Sequence, residues 1–200
     1  MTVIGITGPT GAGKTTVLNV LKGLGGCILN ADAVYHELLE SDFTLRSDLE
    51  KRFGPLARED GTIDRKKLGG IVFHDPAALD DLNTIAHRRI VLELDRRLWL
   101  AKKGGIQAAA IDAIALFESG AAELCHVTLT VLAPPEVRVR RIMAREGITE
   151  GYARARVAAQ KPSGWFEERC DHVLHNDGSR EELEARARAL FMSIIPKEEI

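Results

Sequence analysis

The residues with the clearest chemical meaning form a glycine-rich segment near the N-terminus, Gly8-Pro9-Thr10-Gly11-Ala12-Gly13-Lys14-Thr15, a full match to GxxxxGK[ST]. Glycines at these spacings let successive backbone N–H groups turn inward around a phosphate, because no side chain obstructs the approach. The lysine of such a loop reaches the β- and γ-phosphates, and the hydroxyl after it can ligate magnesium. A helix that follows would aim its N-terminal dipole at the same anion. The segment therefore predicts nucleotide binding.

The loop predicts a nucleotide as the phosphoryl donor, but it does not predict the acceptor. Kinases, GTPases and motor ATPases share this loop, since a fold does not determine a function. The sequence contains no base-reading NKxD string of a GTPase, and 200 residues are too few for a motor array. The positions expected to contact the nucleotide in the loop are Gly8, Thr10, Gly11, Ala12, Gly13, Lys14, Thr15 and Thr16.

Asp32 is the first candidate on the acceptor side, because it follows the second predicted strand. In a parallel sheet that end is the carboxyl edge, where ligands bind. A carboxylate there can accept a proton from an attacking hydroxyl group. Equally, Asp32 can be no more than the N-cap of a helix over residues 33–40. Spacing alone leaves both interpretations open.

Residues 138–156 carry six arginines against two glutamates, although the whole chain has a net charge of −2. Arg141 and Arg145 lie about one turn apart on a predicted helix and so share a face. Closing over a nucleotide, such residues would stabilise charge on the transferring oxygens. The alternatives are an exposed basic helix face or contact with RNA. Base stacking is poorly supported, because Tyr152 is the segment's single aromatic residue.

The elements that must position these residues follow from hydrophobic pattern. Short apolar runs predict strands, and helical spacing predicts the segments between them. Uninterrupted apolar runs are typical of parallel strands covered on both faces, so we expect a doubly wound α/β sheet. The predicted strands are 3–7, 27–30, 106–112, 126–132 and 171–175, and the predicted helices are 14–24, 33–40, 135–146, 149–160 and 180–193.

The chain is expected to be one domain with an insertion. Residues 43–103 read as a group of helices too long for a crossover, which indicates an inserted subdomain. The expected core spans about 1–30 and 104–200, with a helical acceptor-binding insertion over about 31–103 and a small helical lid over about 138–162.

Composition excludes several classes of protein. Hydrophobic residues make up 45% of the chain, enough to form a core, so it is not a disordered polyelectrolyte. A net charge of −2 provides no global attraction to nucleic acid or anionic lipid. The three cysteines show no CxxC pair, and the N-terminus lacks a signal peptide's basic region. We expect a cytoplasmic protein without a membrane span, either a monomer or a weak homo-oligomer.

Around these residues the chain resembles the dephospho-CoA kinase family. The resemblance runs in family order across nearly the whole chain. Its matching stretches are GITGPTGAGKTT (5–16), NADAVYHELLE (30–40), GTIDRKKL (61–68), LNTIAH (82–87), IDAIALFESG (111–120), PEVRVRRIMAREGIT (135–149), VAAQKP (157–162) and CDHVLHNDGS (170–179). The resemblance implies a P-loop kinase fold and transfer of the ATP γ-phosphate to the ribose 3′-hydroxyl of dephospho-CoA, the last step of coenzyme A synthesis, with Mg²⁺ accompanying ATP.

The resemblance also assigns roles. Asp32 matches the catalytic aspartate of the family's DAD string, and the Arg141–Arg145 pair matches the hinge end of a mobile lid. On the acceptor side, Arg65 and His87 match family positions, the alternatives being a solvated arginine and a capping or core histidine. His36 and Glu118 are further acceptor-side candidates, and Glu118 is alternatively a partner of magnesium or an acid in the first turn of a helix. Asp112, at the end of the third predicted strand, is a candidate partner of magnesium together with Thr15. Asn176 is either an adenine contact or a turn-forming residue.

Some positions depart from the family pattern. The first Asp of DAD is Asn30 here, the frequent arginine four residues after the catalytic aspartate is His36, and the HP dipeptide is His87-Arg88. PLLFE is replaced by residues 114–118, IALFE. His36 would weaken pairing with an acceptor phosphate unless Arg88 or Arg89 substitutes.

Alternative functions are another P-loop small-molecule kinase, such as a nucleoside kinase, and a nucleotide-dependent switch or nucleic-acid-binding ATPase.

Overall fold

A computed structural model describes residues 1–58 and 60–196, so residue 59 and residues 197–200 of the predicted 1–200 domain lie outside the description. In the described ranges, five parallel strands form one sheet in the order β2-β3-β1-β4-β5. The strands are β1 (Thr2–Thr7), β2 (Cys27–Asn30), β3 (Ala108–Asp112), β4 (Val127–Leu132) and β5 (His172–His175). The predicted α/β class with a parallel sheet flanked by helices is confirmed.

Helices connect the strands and cover both faces of the sheet. They are α1 (Lys14–Gly23), α2 (Ala31–Ser41), α3 (Phe43–Phe53), α4 (Arg65–Val72), α5 (Pro76–Lys103), α6 (Pro135–Glu146), α7 (Glu150–Ala158), α8 (Ser163–Glu167) and α9 (Arg180–Ile194). The short helix α8 and a 3₁₀ turn over Ala121–Leu124 were not predicted. Across the described helices, we find none that is both long and apolar enough to cross a membrane.

The two faces of the sheet are covered by different helices, because successive side chains of a strand point to opposite faces. Val3 and Ile111 pack on the face that the helices between β2 and β3 cover. Ile4 and Ala110 pack on the other face, against residues of α1 and α9 such as Leu21 and Phe191. Burial on both faces explains why the strands read as uninterrupted apolar runs.

The strand order makes β1 the switch point of the sheet. β1 pairs with β3 on one side and with β4 on the other. Connections from the carboxyl ends of these strands therefore leave in opposite directions and open a crevice, which is where ligands bind in such sheets. The glycine-rich loop, residues 8–13, leaves β1 at this point and leads directly into α1.

Helices α2 to α5 lie between β2 and β3 and share one hydrophobic core with the adjoining face of the sheet. Asp42 joins two of these helices. Its Oδ1 accepts from the backbone N–H of Leu45 at 3.1 Å and so caps α3. Its Oδ2 accepts from Arg89 of α5, from Nε at 2.9 Å and from Nη2 at 2.5 Å. The Asp42 side chain is only 10% exposed, so this pair, in which two guanidinium nitrogens donate to one carboxylate oxygen, is a structural tie of the insertion.

We expect Asp42→Ala to lower the free energy of unfolding by about 2–4 kcal/mol, because it removes a cap and leaves Arg89 without its partner. Burial opposes ionisation of Asp42, but the hydrogen bonds from Arg89 and Leu45 outweigh it and hold its pKa below the usual value. The wild-type advantage is therefore complete above about pH 4, the ordinary aspartate range, and shrinks as the pH falls further.

Urea denaturation at pH 7 and pH 3 measures this prediction. Asp48→Ala is the matched control, because Asp48 is an exposed aspartate on α3 with a surface partner, Lys51. We expect it to change stability by less than about 0.5 kcal/mol. Equal losses in the two variants would contradict a structural role for the Asp42–Arg89 pair.

Candidate active site at the phosphate loop

A cleft of about 340 Å³ opens at the carboxyl edge of the sheet. The glycine-rich loop and α1 form its floor, and residues from β3, α2, α6 and α7 form its walls. Its lining residues are Pro9, Thr10, Gly11, Gly13, Lys14, Thr15, Asp32, Asp112, Ile114, Arg141, Arg145 and Arg156. The cleft thus brings together most of the predicted loop residues, both predicted carboxylates of the core and the two predicted arginines.

The loop conformation requires its glycines. Gly13 has φ +108°, in the region that favours glycine, and a Cβ there would overlap the Asn176 amide. Gly13 directly precedes α1, so the N-terminus of this helix faces the cleft. The Lys14 ammonium donates to the carbonyl oxygen of Gly8 at 2.7 Å and so crosses the loop. A phosphate in the cleft would lie within the reach of that ammonium group.

Asn176 holds the loop by a hydrogen bond to its backbone. It is 5% exposed, its Nδ2 donates to the Ala12 carbonyl at 2.7 Å, and its Oδ1 accepts from Arg141 Nη2 at 3.2 Å. Arg141 Nη1 lies 3.4 Å from the Gly11 carbonyl oxygen. Asn176 does not line the cleft, so contact with adenine stays a prediction, and its described bonds serve the loop.

Asp32 lies in the first turn of α2 but does not cap that helix. Helix α2 begins at Ala31, two residues before the predicted start, and its N-cap is Asn30, whose Oδ1 accepts from the Ala33 N–H at 2.8 Å. The cap interpretation of Asp32 was therefore wrong. The carboxylate is exposed in the cleft instead. An Asn immediately before a helix is a strong cap signal, and it was available in the sequence.

Asp112, at the end of β3, completes a small polar group with Asn30 and Lys14. Its Oδ2 accepts from Asn30 Nδ2 at 2.7 Å. Burial raises the pKa of Asp112 above its ordinary value, against the opposing effects of the Lys14 charge and the Asn30 hydrogen bond. Burial also lowers the pKa of Lys14, although the charges of Asp112 and Asp32 act in the opposite direction. Desolvated charges in such a site interact strongly with an entering phosphate.

The four remaining acceptor-side candidates, His36, Arg65, His87 and Glu118, do not line the cleft. Arg65 Nη2 lies 3.5 Å from His36 Nε2, at the edge of hydrogen-bond range. Burial lowers the pKa of His87, and the nearby carboxylate of Glu118 partly offsets this. Of the two arginines considered as substitutes for the family arginine, Arg89 is engaged with Asp42.

Five of the six arginines of residues 138–156 divide into two groups. Arg145 Nη2 donates to Glu146 at 2.6 Å, and Arg156 pairs with the same glutamate. Arg154 bonds to Glu136 and Glu150. Arg138 and Arg141 instead face the glycine-rich loop. Sequence reasoning singled out neither Arg156, which lines the cleft, nor Gln160, which contacts the loop.

The family model and the curated relatives agree on one family. The family model described as Dephospho-CoA kinase matches residues 2–182. A relative of that name from Corynebacterium diphtheriae is 34% identical over 192 residues, 96% of each chain. Another, from Geobacter sulfurreducens, is 34% identical over 197 residues, 98% of this chain and 100% of the relative.

Solved structures agree in fold. A Thermus thermophilus protein superposes with a TM-score of 0.75 at 34% identity, covering 98% of both chains. A dephospho-CoA kinase from Campylobacter jejuni gives a TM-score of 0.71 at 25% identity, covering 96% of both chains. A shikimate kinase from Bacteroides thetaiotaomicron, with a TM-score of 0.54 at 15% identity over 96% of this chain and 98% of that chain, shares the fold alone.

The Asn30–Asp112 bond generates a prediction about charge. Asn30→Asp keeps an oxygen to cap α2 but replaces the amide donor with a carboxylate facing Asp112. Like charges disfavour ionisation, so the pKa of Asp112 should rise further above its ordinary value. Carboxyl ¹³C chemical shifts followed against pH measure it. Asn19→Asp, on the exposed side of α1, is the control and should leave Asp112 unchanged. An unchanged Asp112 titration in Asn30→Asp would contradict the arrangement.

Proposed function

The chain belongs to the dephospho-CoA kinase family, and we propose that the cleft described above performs that family's reaction, with Asp32 as the base. The reaction is transfer of the ATP γ-phosphate to the ribose 3′-hydroxyl of dephospho-CoA, giving coenzyme A and ADP. The observation that carries the assignment is the convergence of Lys14, Asp32 and Asp112 on one cleft at the carboxyl edge of the sheet.

The loop side of the cleft would hold the phosphates of ATP. Gly11 and Gly13 of the loop line the cleft, and the N-terminus of α1 faces it. Lys14 would exchange its bond to the Gly8 carbonyl for phosphate oxygens, an exchange that needs only side-chain rotation. Arg141 and Arg145 also line the cleft and would meet charge on the transferring group.

Asp32 would accept the proton of the attacking hydroxyl group. It is exposed in the cleft, and its charge opposes the lowering of the Lys14 pKa by burial. Because Asn30 caps α2, the Asp32 carboxylate is not needed as a helix cap. A base must lie within hydrogen-bond reach of the proton that it removes. His36, Arg65, His87 and Glu118 would contact parts of dephospho-CoA remote from the reacting hydroxyl, since they do not line the cleft.

The residues present fit Mg²⁺, which binds oxygen ligands and keeps several waters when it accompanies a nucleotide. The Thr15 hydroxyl and the Asp112 carboxylate, both in the cleft, are the groups that would hold it. In the part of the chain that the structure describes, no cluster of three or more His, Cys, Asp or Glu side chains forms a metal cage. Mg²⁺ would supply neutralisation of phosphate charge.

We also propose that the enzyme works in the cytoplasm, as a monomer or weak homo-oligomer, without nucleic acid. Several arginines of the segment that suggested RNA have partners within the chain: Arg138 and Arg141 contact the glycine-rich loop, and Arg154 pairs with two glutamates. The aromatic side chain of the segment, Tyr152, is 59% exposed but is a single platform, whereas binding of single strands uses several.

ADP release, measured in a coupled assay with dephospho-CoA, adenosine or no acceptor, tests the function. We expect ADP formation to depend on dephospho-CoA. Preference for adenosine would favour a nucleoside kinase, and ADP formation without an acceptor would favour a nucleotide-dependent ATPase.

Asp32→Asn should separate binding from chemistry. Asparagine keeps the size of the side chain, and the helix keeps its cap at Asn30, so binding of both substrates should stay near normal. Turnover should fall by roughly 10²–10⁴-fold, the usual contribution of a positioned base. Steady-state rates at saturating substrates measure it, with Asp48→Asn as the control. A variant that retains more than about a tenth of the wild-type turnover has lost less than the smallest amount expected for a base. That result would remove Asp32 from the catalytic role.

A further inference from the structure

Gln160 follows α7, does not line the reaction cleft, and yet contacts the phosphate loop. Its Oε1 accepts from the backbone N–H of Thr10 at 3.0 Å. The same oxygen accepts from Arg138 Nη2. The two donors identify this atom as the amide oxygen, because a carboxamide nitrogen cannot accept them.

Arg138 completes the contact from α6. The residue is 4% exposed, and its Nε donates to the Thr10 carbonyl oxygen at 3.0 Å. The backbone N–H and C=O of Thr10 are therefore both held by side chains that come from beyond the loop. Gln160 and Arg138 are also bonded to each other, so Thr10, Arg138 and Gln160 form a closed hydrogen-bonded ring, which we call the Thr10 clamp.

The Thr10 clamp fixes the direction of a neighbouring peptide group. The C=O of one residue and the N–H of the next point in opposite directions across a trans peptide. With its carbonyl held by Arg138 on the outer side, Thr10 forces the N–H of Gly11 to the other side. Gly11 lines the cleft, and a Cβ on it would lie 3.0 Å from the Arg138 carbonyl oxygen, so the loop lies tightly against α6.

We infer that Gln160 is a positioning residue for nucleotide binding, acting through the Thr10 clamp to hold the phosphate loop in its anion-binding shape. Removal of its oxygen leaves the Thr10 N–H and Arg138 Nη2 without this acceptor, and the buried Arg138 must find another partner. Because the loop contacts phosphate in the ground state as well as in the transition state, the loss should appear chiefly in nucleotide affinity. The inference rests on the proposed placement of the ATP phosphates in the loop.

Gln160→Met tests the inference, because methionine has a similar length but no oxygen. We expect its Kd for ATP and for ADP to rise about 10-fold, as loss of a shared buried acceptor implies, with kcat reduced by less than about 3-fold. The KM for dephospho-CoA should stay unchanged. Gln160→Glu retains an oxygen for both donors and should restore nucleotide affinity to within about 3-fold of the wild type.

Calorimetric titration with ATP and ADP gives the affinities, and steady-state kinetics give kcat and the KM for dephospho-CoA. Gln107→Met is the control for the substitution itself, since Gln107 is exposed and precedes β3. Thermal unfolding of every variant separates loss of fold from loss of positioning. If Gln160→Met does not fold, Gln160→Asn, one methylene shorter, takes its place with the same expected weakening.

Wild-type nucleotide affinity in a folded Gln160→Met or Gln160→Asn variant would overturn the inference. So would equal weakening in Gln160→Glu, because the effect would then not depend on the accepting oxygen. A lower melting temperature with unchanged ATP affinity would reduce Gln160 to a stabilising contact. Titration with ATP needs no acceptor, so a wild type inactive on dephospho-CoA would refute the proposed reaction while these affinities still decided the role of Gln160.

Discussion

The site depends on the orientation of a few peptide groups in the phosphate loop. An anion site built from backbone N–H groups requires the intervening carbonyl groups to face away from the anion, where each needs a donor. Here side chains supply three of these donors: Arg138 for Thr10, Asn176 for Ala12 and Lys14 for Gly8. The first two come from α6 and from the end of β5, so the shape of the loop depends on contacts with distant parts of the chain.

This dependence explains which parts of the molecule could be predicted. The strands and most helices follow from local patterns: β2 and α6 have their predicted bounds, and the phosphate loop follows from its own glycines. Asn176 and Gln160 could not be placed on the loop in this way, because they are 164 and 150 residues away from their partners there. A side chain that meets a backbone group over such a distance leaves no periodic signal.

Prediction failed differently on the acceptor side. There the sequence shows the residue types, but it does not show which side chains they bond to. Asn30 caps α2 and bonds to Asp112, so it serves a helix and a carboxylate with the two ends of one amide. An aspartate could make the first contact but not donate the second. Arg89 looks like a free acceptor-side cation in the sequence, yet Asp42 fixes it within the insertion. Such assignments depend on which helices of the insertion pack together.

The arginine-rich segment combines two mechanical roles within one helix. Arg138 and Arg141, one turn apart on α6, face the loop and join it to the body of the protein. Arg145, one turn further, is exposed and pairs with Glu146, as does Arg156 from α7. Surface ion pairs contribute little stability and exchange partners readily. An arriving triphosphate can therefore compete for Arg145 and Arg156 at low cost, whereas the same exchange at Arg138 would dismantle the loop. The two ends of α6 therefore differ: one is fixed to the loop and the other carries exchangeable charge, which is the arrangement that the predicted lid over residues 138–162 would need.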